Sequence, residues 1–99
     1  MKLLLIFLDE TDMWHDVPAY EAIVRRLMRS GVAGATVSKG IMGYGSHHKI
    51  HGKGLLGVSD DRPITVLAAD TEERLRPILP ELRTLAPEAV MLLLPAEPV

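Results

Sequence analysis

The chain has no cysteine. Disulfides, thiolate metal sites and cysteine nucleophiles are therefore excluded. Such a chain suits a reducing compartment, and the cytoplasm is its expected location. Aromatic residues are scarce: Phe7, Trp14, Tyr20 and Tyr44 are the whole set, so aliphatic side chains must fill the core. Long hydrophobic runs are lacking too. Leu3–Leu8 is too short for a membrane span or the apolar stretch of a signal peptide, and Asp9 and Glu10 follow at once. It reads as a buried strand. No spacing matches a Walker phosphate loop, a zinc finger or a nucleophile–base pair, so the residues point away from an enzyme.

One stretch lacks charge of one sign. Residues 1–21 carry five acids, Asp9, Glu10, Asp12, Asp16 and Glu21, against one base, Lys2. Residues 22–59 carry no acid, six Lys or Arg and three His. The asymmetry points to an anionic partner for the middle of the chain, or to charge matching within the chain or across a subunit interface. The 99 residues suffice for one domain, read as 1–99. A domain this small buries a modest share of its surface. A filled core and subunit association both matter to its stability.

What is present is an alternation of strand and helix patterns. Lys2–Leu8 is a first strand, apolar on both faces. A polar connection, Asp9–Asp16, leads into a helix over Val17–Ser30, with Asp16 as N-cap and Pro18 in the first turn. Tyr20, Ile23, Val24, Leu27 and Met28 form its apolar stripe, and Gly31 is placed to end it. A second strand is expected over Ala35–Met42, with Gly40 marking a bulge or a close backbone approach. A third runs from Arg62 to Ala69, with Pro63 at its start. Asp70 and Glu73 have the spacing of a capping box for a second helix. Leu75, Ile78, Leu79, Leu82 and Leu85 give that helix a stripe, and Pro77 and Pro80 predict a break near Arg76. Ala89–Leu94 is the last strand.

The order βαββαβ predicts a ferredoxin-like α+β fold, a four-stranded antiparallel sheet with two helices on one face. The first and last strands are apolar on both sides, and no third helix exists to cover the other face. Burial against other copies of the chain is the simplest solution.

The connection Gly43–Asp61 is long for a compact domain and holds the candidate chemistry. Its glycines let backbone amides approach an anion, with Lys49 and Lys53 as cations. His47, His48 and His51 are of the type that binds divalent metals, and Glu10, Asp12, His15 or Asp16 could add a ligand. The spacing fixes no coordination geometry. Outside this loop, Trp14 reads as a packing residue, and Arg25, Arg26 and Arg29 as a solvated helix face.

Gly34-Ala35-Thr36-Val37 followed by Gly43-Tyr44-Gly45 resembles the PII signalling superfamily, in which a G-x-T-V strand leads to a G-[FY]-G turn that opens a long T-loop. The likeness is closer to the PII-like family known as domain of unknown function 190. It covers Pro18–Val24, Gly31–Val37, Gly40–Gly45, His51, Pro63 and Asp70–Glu73. The resemblance implies a homotrimer that binds a small anionic, nucleotide-like ligand in clefts between subunits. It implies a signalling role without catalysis, in which the T-loop engages a partner such as a membrane transporter or channel. Nucleic acid is not among the implied partners. Gly34, Thr36, Gly43 and Gly45 carry over as ligand-binding positions, and Tyr44, Lys49 and Lys53 complete the candidate set.

The chain also departs from PII. The place of the phosphate-binding G-x-G-K turn reads Leu85-Ala86-Pro87-Glu88-Ala89, and nothing after Arg83 is basic. The resemblance does not extend to the PII grip on ATP. No cofactor is fixed by these residues; an adenine nucleotide and a divalent metal both stay open. Three roles follow: an anion-sensing trimer, a metal-binding protein built on the loop histidines, and a structural subunit whose loop docks on a partner.

Overall fold

The computed structural model describes residues 1–44, the backbone of 51–52, and residues 62–99. The first strand, β1 (Lys2–Asp9), alternates as its apolar sequence requires: Leu4 and Ile6 are buried, while Phe7 on the other side is exposed. A small hairpin follows, β2 (Met13–Trp14) with β3 (Val17–Pro18). His15 in its two-residue turn has φ 54°, and its ring meets Trp14 edge-on at 4.3 Å.

The hairpin changes how the first helix starts. Helix α1 spans Ala19–Arg29, with Pro18 at the N-cap position and no side-chain cap. Asp16 is therefore not the cap, because pairing with Trp14 draws Val17 into a strand. The Ala19 amide donates instead to the Asp12 carbonyl at 2.8 Å. Ala19, Ile23 and Leu27 are the buried stripe. Met28, at the margin of the expected stripe, is 71% exposed. The helix ends in a Schellman motif: Gly31 has φ 80°, its amide donates to Met28, and the Val32 amide donates to Leu27.

Strand β4 is Ala35–Lys39, shorter than the expected Ala35–Met42. The Gly40 amide continues the register by donating to the Pro63 carbonyl at 2.7 Å, and the ladder ends there because Pro63 has no N–H to return the bond. A Cβ at Gly40 would lie 2.6 Å from Pro63 Cγ, so the close approach read from this glycine is real. A second hairpin follows, β5 (Met42–Gly43) with β6 (His51–Gly52). Strand β7 is Pro63–Asp70.

Asp70 is the last residue of β7 and does not cap the next helix. Its carboxylate accepts from the amides of Thr71 at 2.7 Å and Ala33 at 3.0 Å, tying the exit of α1 to the end of β7. Thr71 is the N-cap of α2 (Glu72–Leu75) and accepts from the Arg74 amide at 3.3 Å. A 3-10 turn at Arg76–Ile78 interrupts the helix at the expected place, and α3 (Leu79–Leu85) resumes it. The break follows from Pro77 and Pro80, which remove backbone donors. The last strand is β8 (Val90–Pro95).

The sheet order is β4-β7-β1-β8, antiparallel throughout. The helices cover one face. Between the layers Leu4, Ile6, Ile64 and Val66 meet Ile23, Leu27, Leu75 and Leu82, all fully buried. Arg26 of α1 and Glu81 of α3 form an ion pair across the helix layer. On the other face, Leu5 lies between Leu67 and Leu92, and Phe7 between Thr65 and Val90. Leu3 stands between Ala69 and Leu94. This face is apolar and uncovered in the single chain, as the two-sided apolar strands predict.

Candidate ligand cleft

The end of the sheet where β1 leaves and β7 and β8 enter opens into a cleft of about 490 Å³. Thr65, Phe7 and Val90 form one cross-strand row at its base. Met42 and Tyr44 stand on one rim, exposed by 57% and 73%. Asp9, Asp12 and Glu88 bring carboxylates to the lining. The cleft is thus largely apolar with a few polar groups, the usual make-up of a small-molecule site.

Local structure places each wall. Gly40 and Gly43 let the chain pass directly over Pro63: a Cβ at Gly43 would stand 3.2 Å from Pro63 Cγ. The turn after β1 is bonded to itself. The Asp9 amide donates to Asp12 Oδ2 at 3.0 Å, and the Thr11 amide donates to Asp9 Oδ1 at 3.0 Å. Glu10 faces away into a contact with Lys39 and with the Arg62 amide. The Lys39 ammonium bonded to the Glu10 carboxylate holds its pKa below the usual value, and the Arg62 amide acts in the same direction.

The turn between α3 and β8 is closed on itself. Arg83 Nη1 donates to the carbonyls of Ala86, Pro87 and Ala89. The Ala86 and Ala89 amides donate to Leu82 and Ala86. These groups are used inside the turn, and the side chain it gives the cleft is Glu88. The structural arrangement agrees with the absence of a G-x-G-K sequence there.

Of the candidate site residues, Gly43 and Tyr44 line the cleft. Gly34 precedes β4 at the opposite end of the strand, with open space around it. Thr36 lies on the uncovered face, opposite Leu67. One chain therefore does not bring Gly34 and Thr36 to the cleft. Gly45, His47, His48, Lys49 and Lys53 lie outside the described residues, and His51 is described only as a backbone partner of Gly43. Among the described residues no three His, Asp or Glu side chains are grouped to hold a metal. Sequence reading passed over Phe7, Pro63, Thr65 and Val90 as site residues. Their signal was topological: an N-terminal strand paired with the third and fourth strands puts its end beside their starts.

The DUF190 family model, described as an uncharacterized ACR, matches residues 1–97. The chain belongs to the DUF190 family. The UPF0166 protein of Aquifex aeolicus is 33% identical over 82 residues, covering 83% of this chain and 78% of that protein. The UPF0166 protein of Methanocaldococcus jannaschii is 36% identical over 81 residues, covering 82% and 74%. Among solved structures, the DUF190 chain resembles CPII, a nitrogen regulatory PII-like protein from Thiomonas intermedia K12, bound to ADP, AMP and bicarbonate. That match has a TM-score of 0.64 at 27% identity and covers 93% of this chain and 81% of CPII. CPII bound to ADP, AMP and acetate matches with a TM-score of 0.61 at 26% identity, covering 94% and 82%. The fold is ferredoxin-like, as the βαββαβ order predicts, and PII-like, as the resemblance implies. Among the described residues no helix is long and apolar enough to cross a membrane.

Proposed function

We propose that this DUF190 chain is a non-catalytic PII-like sensor subunit. It assembles as a homotrimer through its uncovered sheet face and binds a nucleotide-like anion at the cleft beside Gly43 and Tyr44. Ligand occupancy is passed to a partner protein through the connection 43–61. The observation that carries this reading is the cleft itself, which opens where β4 and β5 lead into that connection. CPII, a relative of the same fold, is bound to ADP, AMP and bicarbonate. The apolar face supports assembly. Gly34 and Thr36 then serve a cleft shared with a neighbouring subunit, and Gly45, Lys49 and Lys53 serve the anion.

Mass in solution and thermal stability against ADP, AMP, bicarbonate, cyclic nucleotides and Zn²⁺ test this. A ligand at one hundred times its Kd stabilises the folded state by about 2.7 kcal/mol, enough to raise Tm measurably. The expected result is a trimer stabilised by a nucleotide, with the effect reduced in Gly43→Val and Lys49→Ala. A trimer that responds to Zn²⁺ alone, and no longer when His47, His48 and His51 are replaced by Ala, would transfer the function to a metal site. A monomer that answers no ligand would refute the sensor reading.

A further inference from the structure

Glu10 stands where three parts of the chain meet. Its own amide donates to the Arg62 carbonyl at 3.0 Å, and the Arg62 amide donates back to Glu10 Oε1 at 3.2 Å. The pair continues the β1–β7 ladder one step beyond Asp9 and Pro63, with a side-chain oxygen in place of a backbone carbonyl. The second oxygen, Oε2, is in an ion pair with Lys39, the last residue of β4. One carboxylate therefore holds the strand that leads into the connection 43–61 and the residue that leaves it. Gly40 and Pro63 complete the same junction through a 2.7 Å backbone bond.

Glu10 faces away from the cleft but belongs to the turn that walls it. Its neighbours in the turn, Asp9 and Asp12, line the cleft. They are bonded to one another through the Asp9 amide, and Asp12 holds the first amide of α1. A shift of this turn has a direct mechanical route to Glu10, and through it to Lys39 and Arg62. A carboxylate that bonds both a backbone amide and an ammonium is a strong positional constraint, because charge-assisted bonds are shorter and stronger than neutral ones.

We propose that Glu10 is a latch: it clamps the two roots of the connection 43–61 to each other and ties both to the turn that walls the cleft, so that a change at the wall moves the roots together. Glu10 is a positioning residue here and need not touch ligand.

Amide hydrogen exchange tests the latch without ligand. In Glu10→Ala, the Arg62 and Gly40 amides should exchange at least about tenfold faster, with Ile6 and Val66 unchanged as reporters of global unfolding. Glu10→Gln keeps an acceptor for Arg62 but loses the charge, so it should leave Arg62 closer to wild type than Glu10→Ala does. Lys39→Ala should free the β4 root alone. Arg62 and Gly40 exchange within twofold of wild type in Glu10→Ala overturns the latch. Should Glu10→Ala not fold, Glu10→Gln and Lys39→Ala decide: each removes the Lys39–Glu10 ion pair, so both should speed Gly40 exchange by a similar factor and leave Arg62 closer to wild type, and no effect at Gly40 in either is fatal to the latch. The transmission step rests on the sensor reading and uses ADP as probe. ADP should alter Arg62 exchange in wild type and fail to do so in a Glu10 variant that still binds it by thermal shift. An equal response in both refutes transmission. Absence of ADP binding to wild type counts against the sensor reading, while the ligand-free comparison still judges the latch.

Discussion

Leu92→Asp probes the proposed homotrimer most directly. Leu92 belongs to the uncovered face with Phe7, Val90 and Leu94, which are exposed by 43%, 42%, 54% and 39% respectively in the single chain. Full burial of such a side chain is worth roughly 1.5–3 kcal/mol. Burying the remaining two-fifths of Leu92 and Leu94, the two that do not line the cleft, would yield about 0.6–1.2 kcal/mol per residue, or roughly 1.2–2.4 kcal/mol per protomer. An aspartate at position 92 removes one of these contributions. It also forces a carboxylate into an apolar contact, at a cost of several kcal/mol unless it becomes protonated.

The expected outcome is at least about hundredfold weaker association, since 1.4 kcal/mol is a factor of ten. Light scattering after size exclusion, across a dilution series, reads this as a change from trimer to monomer. Far-ultraviolet circular dichroism should show the fold retained, because the side chain is already half-exposed. Met28→Asp is the matched control: Met28 is more exposed, at 71%, but lies on α1 in the helix layer, and its replacement should leave the mass unchanged. Wild-type mass for Leu92→Asp, or loss of assembly in Met28→Asp alone, would refute the assignment of the face.

Two further outcomes follow from particular contacts. Gly40→Ala places a Cβ 2.6 Å from Pro63 Cγ and should cost roughly 1–3 kcal/mol in urea unfolding, as overpacking does; adding Pro63→Ala should recover part of the loss, and strict additivity of the two would disprove the contact. The Asp70 carboxylate is held below its usual pKa first by the Thr71 amide, then by the Ala33 amide and the nearby Arg74, so its contribution is present above its unfolded pKa, near 4, and lost as pH falls through the folded value. Asp70→Asn should therefore lower Tm at neutral pH by an amount that shrinks below about pH 4, and a difference that stays constant down to pH 2.5 would exclude the charge as its cause.

The strand order was legible because periodicity carries it. The continuous apolar run Leu3–Leu8 marks a strand with two apolar faces, and Ile23 and Leu27 repeat at helical spacing, so these elements could be read back from the pattern. The break at Arg76 was legible for a different reason, since proline removes a donor in any context. Asp16 and Asp70 have the right chemistry for a cap, but the residue after Asp16 is drawn into a strand and Asp70 has a better partner elsewhere. Val17 pairs with Trp14, and Asp70 reaches Ala33 across 37 residues of sequence. No local window contains the second fact. The cleft shows the same limit. Its glycine rim stands in one segment, Gly40–Gly43, but Phe7, Pro63 and Val90 are brought to it only by the sheet order.

The charge of the cleft restricts how a nucleotide could lie in it. Among the described residues the lining includes Asp9, Asp12 and Glu88 and no lysine or arginine. On the sensor reading, the uncharged base meets the apolar part of the lining, Phe7, Met42 and Val90. The phosphates must lie toward the acid-free part of the chain, residues 22–59, of this subunit or a neighbour. Adenosine and ADP should then separate the two ends. Phe7→Ala should weaken both ligands by a similar factor in calorimetric titration, since stacking area is lost to each. Lys49→Ala with Lys53→Ala should weaken ADP at least about tenfold at low salt and leave adenosine within twofold, because only the phosphates meet those cations. Equal losses for the two ligands in the lysine variant would mean that the phosphates lie elsewhere, and an unaffected Phe7→Ala would remove the base from this cleft.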